Sequence, residues 1–380
     1  MKSLGYGLIG SGFMGKCHAQ AMDRVAHTFA LAAAPRLEML ADVDAPTAAK
    51  AAHALGFARS TGDWNALVAD PKIDIVSITT PNLLHKPMAL AAIAAKKAVW
   101  CEKPLSATPA DAKEMADAAR KAGVVTIVGF NYLRHPLMAL AKEIATSGEI
   151  GTLIGFRGIH LEDYMADPAA PWSFRLDPAG GHGAIADIGS HIVSLARFLM
   201  GEIEEVSGQV ATVVPRRPAA PGSSQMRTVE VDDQARALLK FASGATGSIE
   251  ASWVNQGRKL TLAFELTGTK GTVLLDFERM NEVQLYVSGA PAGRAGFKTI
   301  LAGADHANYA AFTPAAGHHI GFNDLKVIEA KVLIDAVTGA SGANASRAWP
   351  DFTDAWRIQQ VIEAIVRSSR ERRWVRPGEM

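Results

Sequence analysis

The feature that most limits what this chain can fold into is Gly10-Ser11-Gly12-Phe13-Met14-Gly15. It ends an apolar run over residues 3–9 and opens a stretch, 14–29, that holds no proline and no glycine beyond Gly15. Strand, tight turn and helix in that order are what a G-x-G-x-x-G segment needs to receive a diphosphate. Gly10 permits the turn, Gly12 removes a Cβ that would block the pyrophosphate, and Gly15 lets the helix approach the sheet, with Phe13 and Met14 completing the loop. Backbone N–H groups and the helix dipole then meet the anion. The segment predicts a dinucleotide site.

The next hundred residues keep the same grammar. Strand-like runs at 37–41, 73–79, 98–101 and 124–129 alternate with helix-like stretches at 45–55, 87–95 and 109–122. Strand alternating with helix predicts an α/β Rossmann domain, a parallel sheet with helices on both faces. Asp42 closes the second run, where a carboxylate accepts hydrogen bonds from the adenosine ribose and repels a 2′-phosphate, so NAD is expected over NADP. Asp44 on the same turn is the competing acid, and a cap for the helix at 45 is the other use of Asp42. Arg36 and Arg59 are the nearest cations in sequence.

After residue 131 the pattern changes. A helix at 136–147 leads into β-like runs at 153–160, 204–214, 235–241, 247–254, 260–267, 271–277 and 283–287 with few helices between them. These predict an α+β domain with a large open, mostly antiparallel sheet, whose uncovered face suits a ligand or a second subunit. The expected division is residues 1–132 for the dinucleotide and 133–380 for substrate binding and oligomerisation, with the last helices, 323–337 and 352–368, packing back on the body. Residues 215–222, with Arg216 and Arg217, read as a mobile loop.

Composition narrows the partners. The 380 residues are 48% hydrophobic, enough for two cores, and 39 basic against 38 acidic side chains leave a net charge of +1. With no basic block, nucleic acid is not an expected partner. Two cysteines, Cys17 and Cys101, supply no disulfide framework, and no Cys/His set has metal-ligand spacing, so no metal is expected. No apolar stretch approaches the roughly 20 residues of a membrane span. A cytoplasmic protein is the expectation.

Two further segments carry chemistry: Glu102-Lys103-Pro104 at the end of a strand, and Asp187-Ile188-Gly189-Ser190-His191 in the second half. Oxidising a secondary alcohol needs removal of the hydroxyl proton as hydride leaves the same carbon. A lysine can hold and polarise that oxygen, and a histidine titrates near neutrality. A helix would place Asp187 and His191, four apart, on one face.

Together with Gly10 to Gly15, Thr80-Pro81-Asn82 with His85, Gly129-Phe130-Asn131-Tyr132 and Gly180-Gly181, these segments make the chain resemble, over essentially its whole length, the glucose-fructose oxidoreductase / inositol dehydrogenase / MocA family. The resemblance implies an N-terminal Rossmann domain joined to an open-sheet domain and a sugar or polyol dehydrogenase. It implies that Lys103 and His191 share acid/base and oxygen-polarising duties while Asp187 orients a substrate hydroxyl. It places Thr80, Pro81, Asn82, His85, Glu102, Lys103 and Asn131 at the cofactor, and His160, on the strand after the Ile150-Gly151 turn, at the substrate. Asn131 and Tyr132 are expected at the nicotinamide or the substrate, and Tyr164, Trp172, Phe174 and Arg175 in a substrate-facing loop, with an inter-subunit or core-packing role as the alternative for Trp172. The family's second acidic residue, three positions after the histidine, is replaced here by Ser194. A homodimer or homotetramer is expected. Two other readings are a glycosidase that retains NAD and works by transient oxidation and elimination, and a non-catalytic NAD-binding sensor.

Overall fold

The computed structural model describes residues 2–291, 293–340 and 349–379. The chain forms two units, one of Met1–Arg134 with Gly321–Trp356, the other of His135–Ile320 with Arg357–Met380. The segment Gly321–Trp356, which includes the helix at Phe322–Thr338, groups with the first unit, the packing of a late helix on the first domain that the expected division allowed for.

The first unit alternates strand and helix: β1 (Lys2–Ile9), α1 (Phe13–Thr28), β2 (Ala33–Ala41), α2 (Ala45–Leu55), β3 (Arg59–Thr61), α3 (Trp64–Ala69), β4 (Ile75–Ile78), α4 (His85–Ala94), β5 (Ala98–Cys101), α5 (Pro109–Ala122) and β6 (Thr126–Val128). The sheet is parallel, in the order β3-β2-β1-β4-β5-β6. Strand order reverses between β1 and β4, and at such a switch point open α/β sheets bind ligands beyond the carboxyl ends of their strands. The Gly10 turn, Asp42, Thr80, Glu102 and Asn131 all follow a strand at that edge. The central strands are buried throughout, Ile75–Ile78 and Ala98–Cys101 without an exposed residue, because helices cover both faces. Asp44 and Thr108 cap α2 and α5 through their side chains. The short β3 and α3 carry no pattern long enough to be legible in sequence.

In the second unit α6 (Pro136–Ser147) precedes β7 (Leu153–Leu161), α7 (Ala184–Asp187) and α8 (Gly189–Met200), followed by β8 (Ile203–Ala211), β9 (Arg216–Pro218), β10 (Met226–Thr228), β11 (Gln234–Phe241), β12 (Thr246–Ser252), β13 (Thr261–Gly268), β14 (Gly271–Asp276), β15 (Glu282–Val287) and β16 (Lys298–Leu301). Eight strands form one sheet in the order β16-β15-β14-β13-β7-β12-β11-β8, antiparallel except where β7 meets β12. On β11, Ala235, Ala237, Leu239 and Phe241 are buried, while Arg236, Leu238 and Lys240 are exposed, the period-2 signature of a sheet covered on one face. Residues 215–222 are not a simple loop: Arg216–Pro218 pairs with Met226–Thr228 in a hairpin, and Arg217 is fully buried. The late helices are α9 (Phe322–Thr338), in the first unit, and α10 (Phe352–Glu371). Among the described residues no single helix is long and apolar enough to cross a membrane.

Candidate functional site

The glycine turn has the geometry its spacing requires. Gly10 adopts φ +93°, a conformation that disfavours any side chain. A Cβ on Gly15 would lie 2.2 Å from the Gly10 carbonyl oxygen, so α1 reaches the strand end only with glycine there. At Gly12, the N-cap of α1, a Cβ would meet nothing within 4 Å. No side chain caps α1, leaving its first N–H groups and the dipole to an anion.

Asp42 is bound into this turn. Its Oδ2 accepts from the Ser11 N–H at 2.9 Å and the Ser11 hydroxyl at 2.5 Å, and its Oδ1 from the Val43 N–H at 2.7 Å. The cap of α2 is Asp44 instead, which accepts from Thr47 at 2.7 Å and is held below the usual carboxylate range by that bond. Phe13 is 70% exposed and stacks on Phe322 at 6.1 Å, and Val43 beside Asp42 is 85% exposed. Met14 is partly buried on the first turn of α1. Arg36 and Arg59 both bind Glu38, and Arg59 also binds Asp70.

After β4, His85 braces the loop. Its Nε2 lies 2.8 Å from the Thr80 carbonyl oxygen and its Nδ1 3.0 Å from that of Pro104. One buried ring thereby ties the Thr80-Pro81-Asn82 turn to the Glu102-Lys103-Pro104 turn, whose Lys103–Pro104 peptide is cis. Lys103 is partly buried, and its N–H donates to Glu102 Oε2 at 3.2 Å.

The Glu102 carboxylate is 5% exposed and belongs to a buried network. Its Oε1 accepts from His18 Nε2 at 2.8 Å and Lys326 Nζ at 2.7 Å; Lys326 also donates to Glu329 at 2.8 Å, and His18 Nδ1 pairs with the Ser77 hydroxyl at 2.7 Å. Burial opposes ionisation of Glu102, but Lys326 and His18 outweigh it and hold the carboxyl well below its usual range. Burial and the Lys326 charge push His18 down to about 4. Its ring stacks on Trp100 at 3.7 Å. Asn131 is buried, and its Nδ2 has no hydrogen-bond partner among the described residues. Tyr132, also buried, meets Phe322 edge-on at 5.9 Å. The open cradle at Gly12, the uncapped α1 terminus, the acid after β2 and the orphaned Asn131 amide fit a dinucleotide.

In the second unit the helix expected to carry both Asp187 and His191 is broken. Asp187 ends α7, Ile188 intervenes and α8 begins at Gly189, the helical axis bending by 57°. Asp187 Oδ2 accepts from the Tyr164 hydroxyl at 2.8 Å and from Arg175 Nε at 3.0 Å. Partial burial and the neighbouring Asp187 carboxylate raise the Tyr164 pKa above its usual value, so it remains a donor. His191 is buried near the start of α8, its ring 5.6 Å from that of His160. His160, on β7, engages the Ile188 carbonyl oxygen through Nδ1 at 2.8 Å and Glu162 through Nε2 at 3.0 Å, bracing the break. Trp172 has one ring face covered by the Arg227 guanidinium at 3.5 Å.

Tyr164 and Arg175 thus converge on Asp187, a grouping that sequence spacing does not reveal. Lys326 and Glu329 were also hidden, since a Lys and a Glu three apart on a helix read as a surface pair. No group of three or more potential metal ligands occurs among the described residues.

Known proteins share this architecture. Residues 4–130 match the oxidoreductase family with an NAD-binding Rossmann fold, and residues 138–274 match the GFO/IDH/MocA C-terminal domain. Levoglucosan dehydrogenase of Pseudarthrobacter phenanthrenivorans is 37% identical, over 99% of this chain and 98% of its own length. The solved complex of levoglucosan dehydrogenase with NADH and levoglucosan superposes with a TM-score of 0.94 at 37% identity over the whole of both chains. An NAD-binding oxidoreductase from Klebsiella pneumoniae does so with a TM-score of 0.94 at 43% identity, again over both whole chains. With both domains matched and its sheets in this order, the chain belongs to the GFO/IDH/MocA family of oxidoreductases.

Proposed function

We propose that this chain is an NAD-dependent dehydrogenase that oxidises a secondary alcohol, or the anomeric carbon, of a sugar, anhydrosugar or inositol. The observation that carries the reading is end-to-end similarity to levoglucosan dehydrogenase, to which the Glu102-Lys103-Pro104 and Asp187-Ile188-Gly189-Ser190-His191 segments add side chains able to do the chemistry. Bound NAD supplies the hydride acceptor. Gly10, Gly12, Gly15 and the first turn of α1 receive its diphosphate, Asp42 its ribose, and Thr80, Pro81, Asn82 and Asn131 line the remainder, while His85, buried with both ring nitrogens engaged, acts as the brace that holds their turn. Asp42 makes NAD the preferred cofactor. Lys103 polarises the reacting oxygen, His191 exchanges the hydroxyl proton, and Asp187, restrained by Tyr164 and Arg175, orients a substrate hydroxyl. Tyr132, His160, Trp172 and Arg175 shape the rest of the substrate's surroundings. His160 acts there mainly as a brace, because both its ring nitrogens already have partners.

The uncovered sheet face is the surface for a second copy. Leu238, Ser248, Arg157, Glu265, Leu274 and Gln284 form one continuous row across six strands, mixing apolar and paired charged groups such as Arg157–Glu265. A symmetric pair of such faces buries each row against its twin.

The deciding assay is NAD reduction with a panel of anhydrosugars, aldoses and inositols. Net NADH accumulation with a free sugar supports the dehydrogenase. Release of an aglycone without net NADH points to a glycosidase, and no turnover with tight NAD binding to a sensor.

A further inference from the structure

Asp232 and Asp233 are adjacent carboxylates, both buried, and buried charges persist only where partners satisfy them. Their partners lie in two different places. Asp232 accepts from the Gly183 N–H through Oδ1 and the Ile185 N–H through Oδ2, each at 2.8 Å, at the start of the short helix that ends in Asp187. The fit admits no side chain at residue 183, where a Cβ would lie 2.0 Å from the Asp232 carbonyl oxygen. Asp233 accepts from Trp253 Nε1 at 2.7 Å, and from the Val213 and Val214 N–H groups at 2.7 and 2.8 Å.

Trp253 in turn meets the Tyr164 ring edge-on at 6.1 Å, and its carbonyl oxygen accepts from the Met165 N–H at 3.0 Å. Arg217, 4.0 Å from Asp233, donates to the Met165 and Asp167 carbonyl oxygens at 2.6 and 2.8 Å. Through Trp253 and Arg217, Asp233 therefore reaches Tyr164 and the residues after it, while through the Gly183 and Ile185 N–H groups Asp232 reaches the short helix that ends in Asp187. Between Tyr164 and Asp187 runs the 2.8 Å hydrogen bond from the tyrosine hydroxyl. Stability alone does not explain the cluster, because well-packed apolar residues in place of a buried ion pair are often as stable or more so.

We propose that Asp233, acting through Trp253 and Arg217, is a positioning residue that aims the Tyr164 hydroxyl at Asp187, and so fixes the rotation of the carboxylate that orients the substrate. This rests on the role given to Asp187 above. The mild test is Trp253→Phe, which keeps an aromatic ring at the site while removing the indole N–H and part of the side-chain volume; Arg217→Met is the stronger one. Each is made in the wild-type chain and in Tyr164→Phe. Trp253→Phe should lower kcat with sugar about 10-fold, the scale of one hydrogen bond to a charged group, while the NADH dissociation constant from fluorescence titration stays within about 2-fold. In Tyr164→Phe the same substitution should add less than about 2-fold, because coupled residues are non-additive. A full further loss in that background, or a folded Trp253→Phe enzyme with unchanged kcat, overturns the proposal, and this arm stands even if Arg217→Met fails to fold. A wild type inactive on every sugar defeats the functional reading and the proposal with it; an active wild type indifferent to Trp253→Phe defeats the proposal alone.

Discussion

Ser11 donates both its backbone N–H and its hydroxyl to Asp42 Oδ2, so the glycine turn and the acid after β2 are one hydrogen-bonded unit. With Asp44 capping α2, Asp42 has no structural duty there. Arg36 and Arg59 are held by Glu38 and Asp70, so neither stands ready to accept a 2′-phosphate. The wild type should use NAD with a kcat/KM at least about 10-fold above that for NADP, and Asp42→Ser should weaken NAD and shrink the ratio. Equal use of both cofactors by the wild type would remove the role given to Asp42.

Two glycines of the same turn should separate binding from folding. A Cβ at Gly12 meets open space and one at Gly15 meets the Gly10 carbonyl oxygen. Gly12→Ala should therefore unfold at nearly the wild-type urea midpoint yet bind NADH several-fold more weakly. Gly15→Ala should lose about 1–3 kcal/mol of stability, the usual cost of overpacking. Urea denaturation beside NADH titration checks both; a Gly12→Ala chain that binds like wild type would show that the cradle is not where the diphosphate rests.

Lys103→Ala should abolish sugar turnover while leaving NADH affinity largely intact, because the role proposed for it lies at the reacting oxygen. His191→Ala should cost on the order of 10²-fold or more in kcat and alter the pH–rate profile. An unaltered profile in the His191 variant would move proton transfer to Lys103.

His18 offers a test by pH. Its folded-state pKa of about 4 lies below the unfolded value of roughly 6.5, so the unfolded chain binds the extra proton first. Stability is then complete above about pH 6.5 and declines as pH falls toward 4, by up to roughly 3 kcal/mol from this group. Urea midpoints measured across that window should fall in the wild type and fall less steeply in His18→Gln. Parallel slopes in the two proteins would mean that His18 does not carry the titration.

Much of this fold was legible because its signals are local. The glycine turn, the capped helices at Ala45–Leu55 and Pro109–Ala122 and the buried strands at Ile75–Ile78 and Ala98–Cys101 each occupy a short window of chain. What escaped was long-range. Nothing near Lys326 announces that its ammonium neutralises Glu102, 224 residues away, and nothing near Arg217 announces that it anchors the residues after Tyr164. Proline, glycine and two arginines over residues 215–222 read as loop, because strand pairing by Arg216–Pro218 depends on Met226–Thr228 rather than on its own periodicity. The break at Ile188 was equally hidden, since i, i+4 spacing is the same whether or not the helix continues.

The ammonium that compensates Glu102 arrives late in the chain. Residues 1–134 contain all six strands of the parallel sheet, yet α9, with Lys326 and with Phe322 against Phe13, follows almost two hundred residues later. During synthesis the nascent N-terminal segment must wait, with Glu102 and His18 lacking their cation, until the whole open sheet has left the ribosome. A fragment cut after residue 134 is thus an unfinished cofactor domain, and grafting this Rossmann half onto another protein requires that α9 travel with it.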